Sequence, residues 1–253
     1  MQAHRRVPTT PAPKALRPRD AATLIIVDET SGEPRVLLGR RRLDMVFMPG
    51  RYVFPGGRVD RSDRHAPSDD ELMPGEVKKL MVAMRGQASA ARARGLALAA
   101  IRETFEEAGL VIGVPRGAAP PPKSPLWQKF FAHGFQPALG GLRFFARAIT
   151  PPGRPRRYDT RFFCVSAAAI AHRLGVADGE LSDLEWHSIA HARSLELPNI
   201  TRVVLEDLGE RLAEGLHAED IPVPFYHRLN GSYRRDLIGV DMENDGQQKV
   251  DRM

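Results

Sequence analysis

The chain has a single cysteine, Cys164, among its 253 residues, which excludes an internal disulfide. It has no run of about eighteen apolar residues, the length that a membrane-spanning helix needs. The first twenty residues also lack the apolar stretch of a secretory signal. These absences predict a cytoplasmic protein that does not cross a membrane, with Cys164 as a small apolar residue in a buried strand.

Several catalytic motifs are missing as well. The chain contains no Gly-rich phosphate loop, no dinucleotide-binding glycine fingerprint and no nucleophile turn for Ser/His/Asp catalysis. His187 and His191 have the spacing of a zinc-binding helix, but the glutamate that should follow the first histidine is absent. The sequence therefore does not favour these four chemistries.

Positive charge is concentrated at the beginning of the chain. The formal net charge is +6, and residues 1–20 account for +4 of it through five Arg or Lys residues and one Asp. The same segment holds four prolines, which together with the charge predicts a disordered, solvated leader. No aromatic residues are interleaved with these cations, so nucleic-acid binding is not favoured.

Strand-like and helix-like segments alternate from residue 21 to 235, which predicts one α/β layered domain followed by a polar tail at 236–253. A hairpin is expected from the apolar runs at 22–27 and 35–38. The clearest helix covers 96–108 and ends at Gly109, where a left-handed cap is wanted. The remaining expectations are a helical insertion at 58–93, a loop at 113–123, helices at 126–133 and 200–216, and strands at 142–149, 160–166 and 184–187.

The end of this helix is strongly acidic. At 100° per residue, Glu103, Glu106 and Glu107 fall within an arc of about 100° on one face. Acids in a last helical turn oppose the helix dipole by about 0.3–1 kcal/mol each, and Arg102 can neutralise only part of the cluster. A divalent cation such as Mg²⁺ or Mn²⁺ would offset the rest, since both prefer oxygen ligands. The alternative is a solvated acidic helix end.

A known motif favours the first interpretation. The run Arg102-Glu103-Thr104-Phe105-Glu106-Glu107-Ala108-Gly109-Leu110 follows a Phe-Pro-Gly-Gly turn that ends at Gly57, and together they resemble the Nudix box. The resemblance implies an α/β/α sandwich with a mixed sheet and a metal-dependent pyrophosphohydrolase activity. It implies metal binding by Glu103, Glu106, Glu107 and the carbonyl of Gly57. Glu103 is also a candidate for activating water, Glu106 is part of the catalytic set, and Arg102 holds the carboxylates.

The spacing of the motif departs from the usual box, which places its arginine fourteen positions after its glycine. Here Arg102 follows Gly57 by 45 positions, so about 31 residues are inserted. The box also has a glutamate eight positions before the arginine, where this chain has Arg94. Glu71 and Glu76 are the candidates to replace that glutamate.

An insertion at this point is a feature of the coenzyme A diphosphatase subgroup, which the segments 47–57 and 157–163 also resemble. The resemblance implies cleavage of CoA or acyl-CoA to 3′,5′-ADP and 4′-phosphopantetheine products. A broader nucleoside-diphosphate-X hydrolase is the nearest alternative. Arg94 in place of glutamate motivates a third hypothesis, a catalytically inactive Nudix-like domain that senses a ligand.

The partner implied by the resemblance is an anionic diphosphate small molecule, which a basic rim would help to hold. Candidate substrate contacts are Arg40, Arg42 and Arg51 near the Pro-Gly-Gly turn and Arg157 in a later loop. Each of them is about as well explained as an ordinary surface arginine. Glu180, preferred over its neighbour at 185, resembles the extra acid that many Nudix enzymes place on a later loop. The sequence leaves open whether the insertion covers the site or forms a homodimer interface.

Overall fold

The computed structural model describes residues 16–45, 48–117, 123–175, 181–215 and 221–239. Within these ranges the strands are β1 (Arg19–Asp28), β2 (Arg35–Arg41), β3 (Tyr52–Val53), β4 (Gly56–Arg58), β5 (Leu110–Pro115), β6 (Phe135–Pro137), β7 (Arg143–Ile149), β8 (Tyr158–Ser166), β9 (Ile170–Arg173), β10 (Leu181–Ser188), β11 (Val223–Leu229) and β12 (Ser232–Ile238). The α-helices there are α1 (Pro74–Met81), α2 (Ala90–Ala108), α3 (Pro125–Ala132), α4 (Ile189–Ser194) and α5 (Asn199–Glu214). Among these helices, none has both the length and the apolar character that crossing a membrane requires.

The main sheet is mixed. Its strand order is β10-β2-β1-β8-β7-β11-β12, with β3 paired to β2 and β4 paired to β1. Strand β1 runs parallel to β8 over nine residue pairs and antiparallel to β2 and β4. A second, smaller sheet has the order β6-β5-β9. Because β4 pairs with one end of β1, the Pro-Gly-Gly turn is fixed beside the centre of the main sheet.

Both faces of the main sheet are covered by helices. Successive side chains of a strand point to opposite faces, and in β1 Leu24 and Ile26 belong to the apolar cluster that includes α2. Ile25 and Val27 belong to the cluster on the other face, together with Leu205 of α5. The predicted α/β/α sandwich is therefore confirmed.

Helix α2 is longer than the sequence predicted. It begins at Ala90 rather than near 96, since the Ser89 side chain caps it by accepting the backbone N–H of Arg92. It ends at Gly109, whose φ of 63° is the expected left-handed cap. The three glutamates consequently lie in the last two turns of a 19-residue helix that packs on β1 and β4.

The interpretation of 58–93 as helical material is only partly right. The segment contains a 3-10 turn at Arg61–His65, helix α1 and the beginning of α2. Positive φ angles at Ala83 and Gly86 separate α1 from α2, which is why one continuous helix does not form. The loop predicted at 113–123 is also wrong at its start, because Gly113 and Pro115 pair with β6 at the end of β5.

Two domain boundaries need correction. Arg19 and Asp20, assigned to the leader, belong to β1 and pair with Tyr158 and Asp159 of β8. At the other end, β12 continues to Ile238, three residues beyond the predicted end of the domain. Backbone pairing with a neighbouring strand holds these polar residues in the sheet, so composition alone placed the boundaries too far inward. The rest of the predicted leader before 16 and of the tail after 239 lies outside the described residues.

Candidate active site

The three glutamates of α2 lie together against the Pro-Gly-Gly turn. Glu107 is buried, and its carboxylate accepts a hydrogen bond of 2.8 Å from the backbone N–H of Gly56. The side chain of Glu103 is 15% exposed, while that of Glu106 is 36% exposed. Glu106 is therefore the most accessible acid, and Glu103 and Glu107 are enclosed between the helix and β4.

Glycine is required at both positions of the turn. A Cβ atom added to Gly57 would overlap the carboxylate of Glu103. One added to Gly56 would overlap the backbone of Ala22 and Thr23 in β1. The missing side chains thus let β4 approach both β1 and the acids of α2 closely.

Arg102 connects the acids to the turn. Its guanidinium is buried and donates from Nη1 to Glu106 at 3.0 Å, with Glu103 at 2.9 Å from the same nitrogen. Nε and Nη2 donate to the two carboxylate oxygens of Asp63 at 2.9 and 3.1 Å. Nη2 also donates to the carbonyl of Arg58 at 2.9 Å. A planar guanidinium held on both sides in this way fixes the positions of its acidic partners.

Asp63 is the site residue that sequence analysis missed. It is fully buried, and besides Arg102 it accepts the indole N–H of Trp127 at 3.1 Å and the backbone N–H of Asp60 at 2.8 Å. Asp63 stands six positions after Gly57, where the box places its glutamate when it is counted forward from the glycine. Arg94, eight positions before Arg102, lies after the insertion begins and therefore does not correspond to the box glutamate. The insertion therefore lies between Asp63 and Arg102.

The residues first considered for that position have other partners. Arg94 donates to the Glu71 carboxylate at 2.8 and 2.9 Å and to the carbonyl of Ala66 at 2.8 Å. Glu76 is buried, pairs with Lys79 at 3.1 Å and accepts the backbone N–H of Phe144 at 2.7 Å. These contacts fasten the insertion to the domain. The hypothesis that Glu71 or Glu76 replaces the box glutamate is wrong.

Burial leaves the acid cluster short of positive charge. Desolvation raises the pKa of Glu103 to about 7, because the attraction of Arg102 only partly offsets it. Desolvation likewise raises the pKa of Glu106. Burial alone would lower the pKa of Arg102, but its contacts with Asp63, Glu103 and Glu106 outweigh that effect and raise it. One guanidinium is shared among several acids, so a further cation would stabilise the cluster.

The acids fit a divalent metal ion by charge and by donor type. Carboxylate oxygens are the ligands that Mg²⁺ and Mn²⁺ prefer. Within the part of the chain that the structure describes, no three Asp, Glu, His or Cys side chains already converge on one metal position. Arg102 bonds to both Glu103 and Glu106, and Glu107 is turned toward the N–H of Gly56. Metal binding by these acids therefore stays a prediction that requires a small rearrangement of their side chains.

A cleft of about 710 Å³ adjoins the acid cluster through Gly56, which belongs to its wall. The cleft crosses the face of the main sheet that carries α5. Its apolar lining includes Val53, Phe54, Phe162, Leu197 and Ile200. Its cationic lining consists of Arg41, Arg51, Arg154 and Arg156, and its tyrosines are Tyr158, Tyr226 and Tyr233.

Of the four arginines proposed as substrate contacts, Arg51 lines this cleft. Arg40 does not line it and donates to the carbonyl of Gly50 at 3.3 Å. Arg42 also lies outside the lining and pairs with Asp44 at 2.9 Å.

The fourth arginine, Arg157, has a structural role, since it donates to the carbonyls of Thr150 and Leu16. Sequence distance from the Pro-Gly-Gly turn could not separate these cases, because the cleft is lined by elements that lie far apart in the chain. Glu180 lies outside the described residues.

The two histidines with zinc-like spacing do not share a helix. His187 is buried in β10, while His191 lies in α4, and their ring centroids are 5.2 Å apart. The helix α3 next to the acid cluster buries Trp127, Phe130 and Phe131, so these aromatic side chains serve packing.

No family model matches the chain. It is 28% identical over 178 residues to a Caenorhabditis elegans protein named as nudix hydrolase 7, covering 66% of this chain and 50% of that protein. It is 29% identical over 191 residues to the acyl-coenzyme A diphosphatase NUDT19 of Gallus gallus, covering 56% of this chain and 50% of that protein. The chain thus spans about half the length of the curated relatives it matches.

A solved structure agrees with the fold. The crystal structure of a NUDIX hydrolase from Alicyclobacillus acidocaldarius superposes with a TM-score of 0.56 and 28% sequence identity. The match covers 75% of this chain and 90% of that one. This likeness supports the α/β/α fold described above.

Proposed function

We propose, from the premise that this chain belongs to the Nudix hydrolase superfamily, that it is a metal-dependent hydrolase of a diphosphate bond in a nucleoside diphosphate linked to another moiety. The observation that carries the proposal is the cluster of Glu103, Glu106 and Glu107, organised by Arg102 and Asp63. This cluster adjoins a cleft whose rim is cationic. Gly56 belongs to the wall of this cleft and donates its N–H to Glu107, so a diphosphate bound there lies beside the cluster.

Mg²⁺ or Mn²⁺, held by Glu103, Glu106, Glu107 and the carbonyl of Gly57, would polarise phosphoryl oxygens and lower the pKa of bound water. The protein itself supplies positioning. Arg102, fixed by Asp63, sets the spacing between Glu103 and Glu106. Glu103, whose pKa burial raises to about 7 in the metal-free protein, is the candidate to accept a proton from the attacking water.

The proposed substrate is CoA or acyl-CoA, cleaved to 3′,5′-ADP and a 4′-phosphopantetheine product. Three observations support this choice. The relative from Gallus gallus is named an acyl-coenzyme A diphosphatase. The cleft volume of about 710 Å³ is typical of sites for ligands of this size. Its lining combines apolar residues with cations, as a substrate with an apolar arm and several phosphates requires. The single buried cysteine supports a cytoplasmic setting as part of this proposal.

The competing hypotheses differ in what the structure offers them. The sensor hypothesis was based on Arg94 in place of the box glutamate. Asp63 occupies that position in space and holds Arg102, so the hypothesis loses the observation that motivated it. A broader nucleoside-diphosphate-X hydrolase uses the same acids and is separated from the CoA assignment by substrate choice alone.

The test is a substrate panel of CoA, acyl-CoA, NADH, ADP-ribose and nucleoside triphosphates with Mg²⁺ or Mn²⁺, with products identified by mass spectrometry. Selective release of 3′,5′-ADP supports the proposal. Preferred cleavage of another member assigns the broader activity, and absence of metal-dependent cleavage of every member refutes hydrolysis.

Two matched variants locate the chemistry. Glu106→Gln should lower kcat by about 100-fold or more with an unchanged circular dichroism spectrum. Glu71→Gln, which alters an exposed acid outside the cluster, should keep wild-type turnover. Equal activity of both variants would remove this helix from the mechanism.

A further inference from the structure

The turn between β7 and β8 presents two arginines to the cleft that the fold does not use. Arg154 and Arg156 are exposed and line the cleft. Across the described ranges, neither guanidinium takes part in a hydrogen bond or an ion pair. The next residue, Arg157, is by contrast bonded to the carbonyls of Thr150 and Leu16 at 2.9 and 2.6 Å. One arginine of this run thus secures the turn, and two remain available to a ligand.

The turn itself is well restrained. Its ends are joined by a hydrogen bond of 2.9 Å from the N–H of Thr150 to the carbonyl of Tyr158 and one of 3.1 Å from the N–H of Tyr158 to Oγ1 of Thr150. Proline at 151, 152 and 155 fixes three φ angles. A restrained backbone lowers the entropy cost of binding through the side chains it carries.

Strand registry places this turn away from the acid cluster. Gly56 pairs with Thr23, and Thr23 pairs with Phe162. Tyr158 precedes Phe162 by four residues, which is about 13 Å along β8, and β8 lies two strand spacings, about 10 Å, from β4. The backbone at the turn is therefore about 16 Å from Gly56. At that separation, Arg154 and Arg156 contact a different part of the ligand from the phosphoryl groups at the acids.

The surface between the two places is mainly apolar, with Phe54 and Phe162 in the cleft lining. We infer that Arg154 and Arg156 form a second anion subsite, which binds a phosphate monoester on the nucleoside of the substrate, separate from the diphosphate that is cleaved. Two guanidinium groups suit a phosphate dianion because each can donate two hydrogen bonds. The inference rests on the proposed function and narrows it to nucleoside diphosphates with an additional ribose phosphate, such as the 3′-phosphate of CoA.

The experiment compares ligands that differ only in that phosphate. Dissociation constants for 3′,5′-ADP and 5′-AMP are measured by calorimetry at fixed ionic strength, and KM is measured for CoA and dephospho-CoA. The proteins are the wild type, Arg154→Ala, Arg156→Ala, the double variant and Arg85→Ala. Arg85 is an exposed arginine between α1 and α2 that does not line the cleft, so its variant controls for loss of one positive charge.

The wild type should prefer the 3′-phosphorylated member of each pair by at least about tenfold, equal to about 1.4 kcal/mol. The double variant should bring the ratio close to one, mainly through weaker binding of 3′,5′-ADP, and Arg85→Ala should keep the wild-type ratio. No preference in the wild type, or a preference that survives in the double variant, would overturn the inference. Loss of affinity for both members alike would also overturn it, since it indicates general attraction.

The dissociation constants of 3′,5′-ADP and 5′-AMP test the subsite independently of the proposed hydrolase activity. A preference for 3′,5′-ADP that depends on these arginines, without turnover of CoA, would keep the subsite and reject the hydrolase assignment. Turnover of CoA and dephospho-CoA with equal KM would keep the hydrolase assignment and reject the subsite.

Discussion

The burial of Glu103 predicts that Glu103→Gln makes the metal-free protein more stable at alkaline pH while abolishing its function. The carboxylate lies between α2 and the Cα atom of Gly57, with Arg102 as its cationic partner. Desolvation raises its pKa from the ordinary 4.5 to about 7. Glutamine keeps the size of the side chain and removes the charge whose burial is costly.

The direction in which stability changes with pH follows from proton linkage. An acid whose pKa is higher in the folded protein than in the unfolded chain binds its proton more tightly when folded. The contribution of Glu103 to stability is therefore full below about pH 4.5, falls as the pH rises from there to about 7, and is lost above it. A shift of about 2.5 pKa units corresponds to about 3 kcal/mol at most. Most of this, about 2 kcal/mol or slightly more, is lost between pH 5 and pH 8.

The assay is urea unfolding of the wild type, Glu103→Gln and a control, Glu33→Gln, in EDTA at pH 5 and pH 8. Glu33 lies in the exposed turn between β1 and β2 and is remote from the acids. The free energy of unfolding of Glu103→Gln relative to wild type should increase by about 2 kcal/mol from pH 5 to pH 8, and that of the control should not change. A constant difference across this range would refute the reasoning, because it would mean that Arg102 and solvent fully compensate the buried charge.

Three further substitutions test the geometry of the site and of the cleft. Gly57→Ala places a methyl group against the carboxylate of Glu103. It should lower kcat at least tenfold and the free energy of unfolding by about 1–3 kcal/mol. Wild-type kinetics would contradict the close approach of Gly57 to Glu103. Asp63→Asn removes one charge of a buried ion pair and should cost about 3 kcal/mol in urea unfolding, with a smaller loss showing that the pair is solvated. Arg51→Ala should raise KM several-fold with kcat nearly unchanged, whereas Arg42→Ala should leave KM as in wild type; equal effects would indicate a general charge effect.

The parts of the molecule that sequence predicted well depend on local signals. The apolar runs of β1, β2, β7 and β8 and the left-handed cap at Gly109 are set by short-range patterns, and the structure has them where expected. The acids of α2 are likewise near one another because helix periodicity requires it. Such features do not depend on the length or the composition of the segments that connect the elements.

The parts that sequence predicted poorly depend on long-range contacts. Asp63 reaches Arg102 across 39 positions of the chain, because the insertion separates the two halves of the motif. Arg51 reaches the cleft where β3 pairs with β2, and its carbonyl accepts the backbone N–H of Arg41 at 2.9 Å. In both cases the deciding partner lies in another element, so composition and periodicity could not identify it.

The insertion costs less than its length suggests, which explains how the ion pair between Asp63 and Arg102 can persist across it. Extending the loop between them from eight to 39 positions costs about 1.4 kcal/mol of closure entropy, since that cost grows only with the logarithm of length. The inserted segment offsets this by burying Leu72, Leu80 and Met84 in the core on the α2 side of the sheet. Each such side chain contributes about 1.5–3 kcal/mol when fully buried. This packing offsets part of the entropy of ordering the inserted residues, which costs about 1–2 kcal/mol each. The arrangement of the acids does not depend on a short connection between the two halves of the motif.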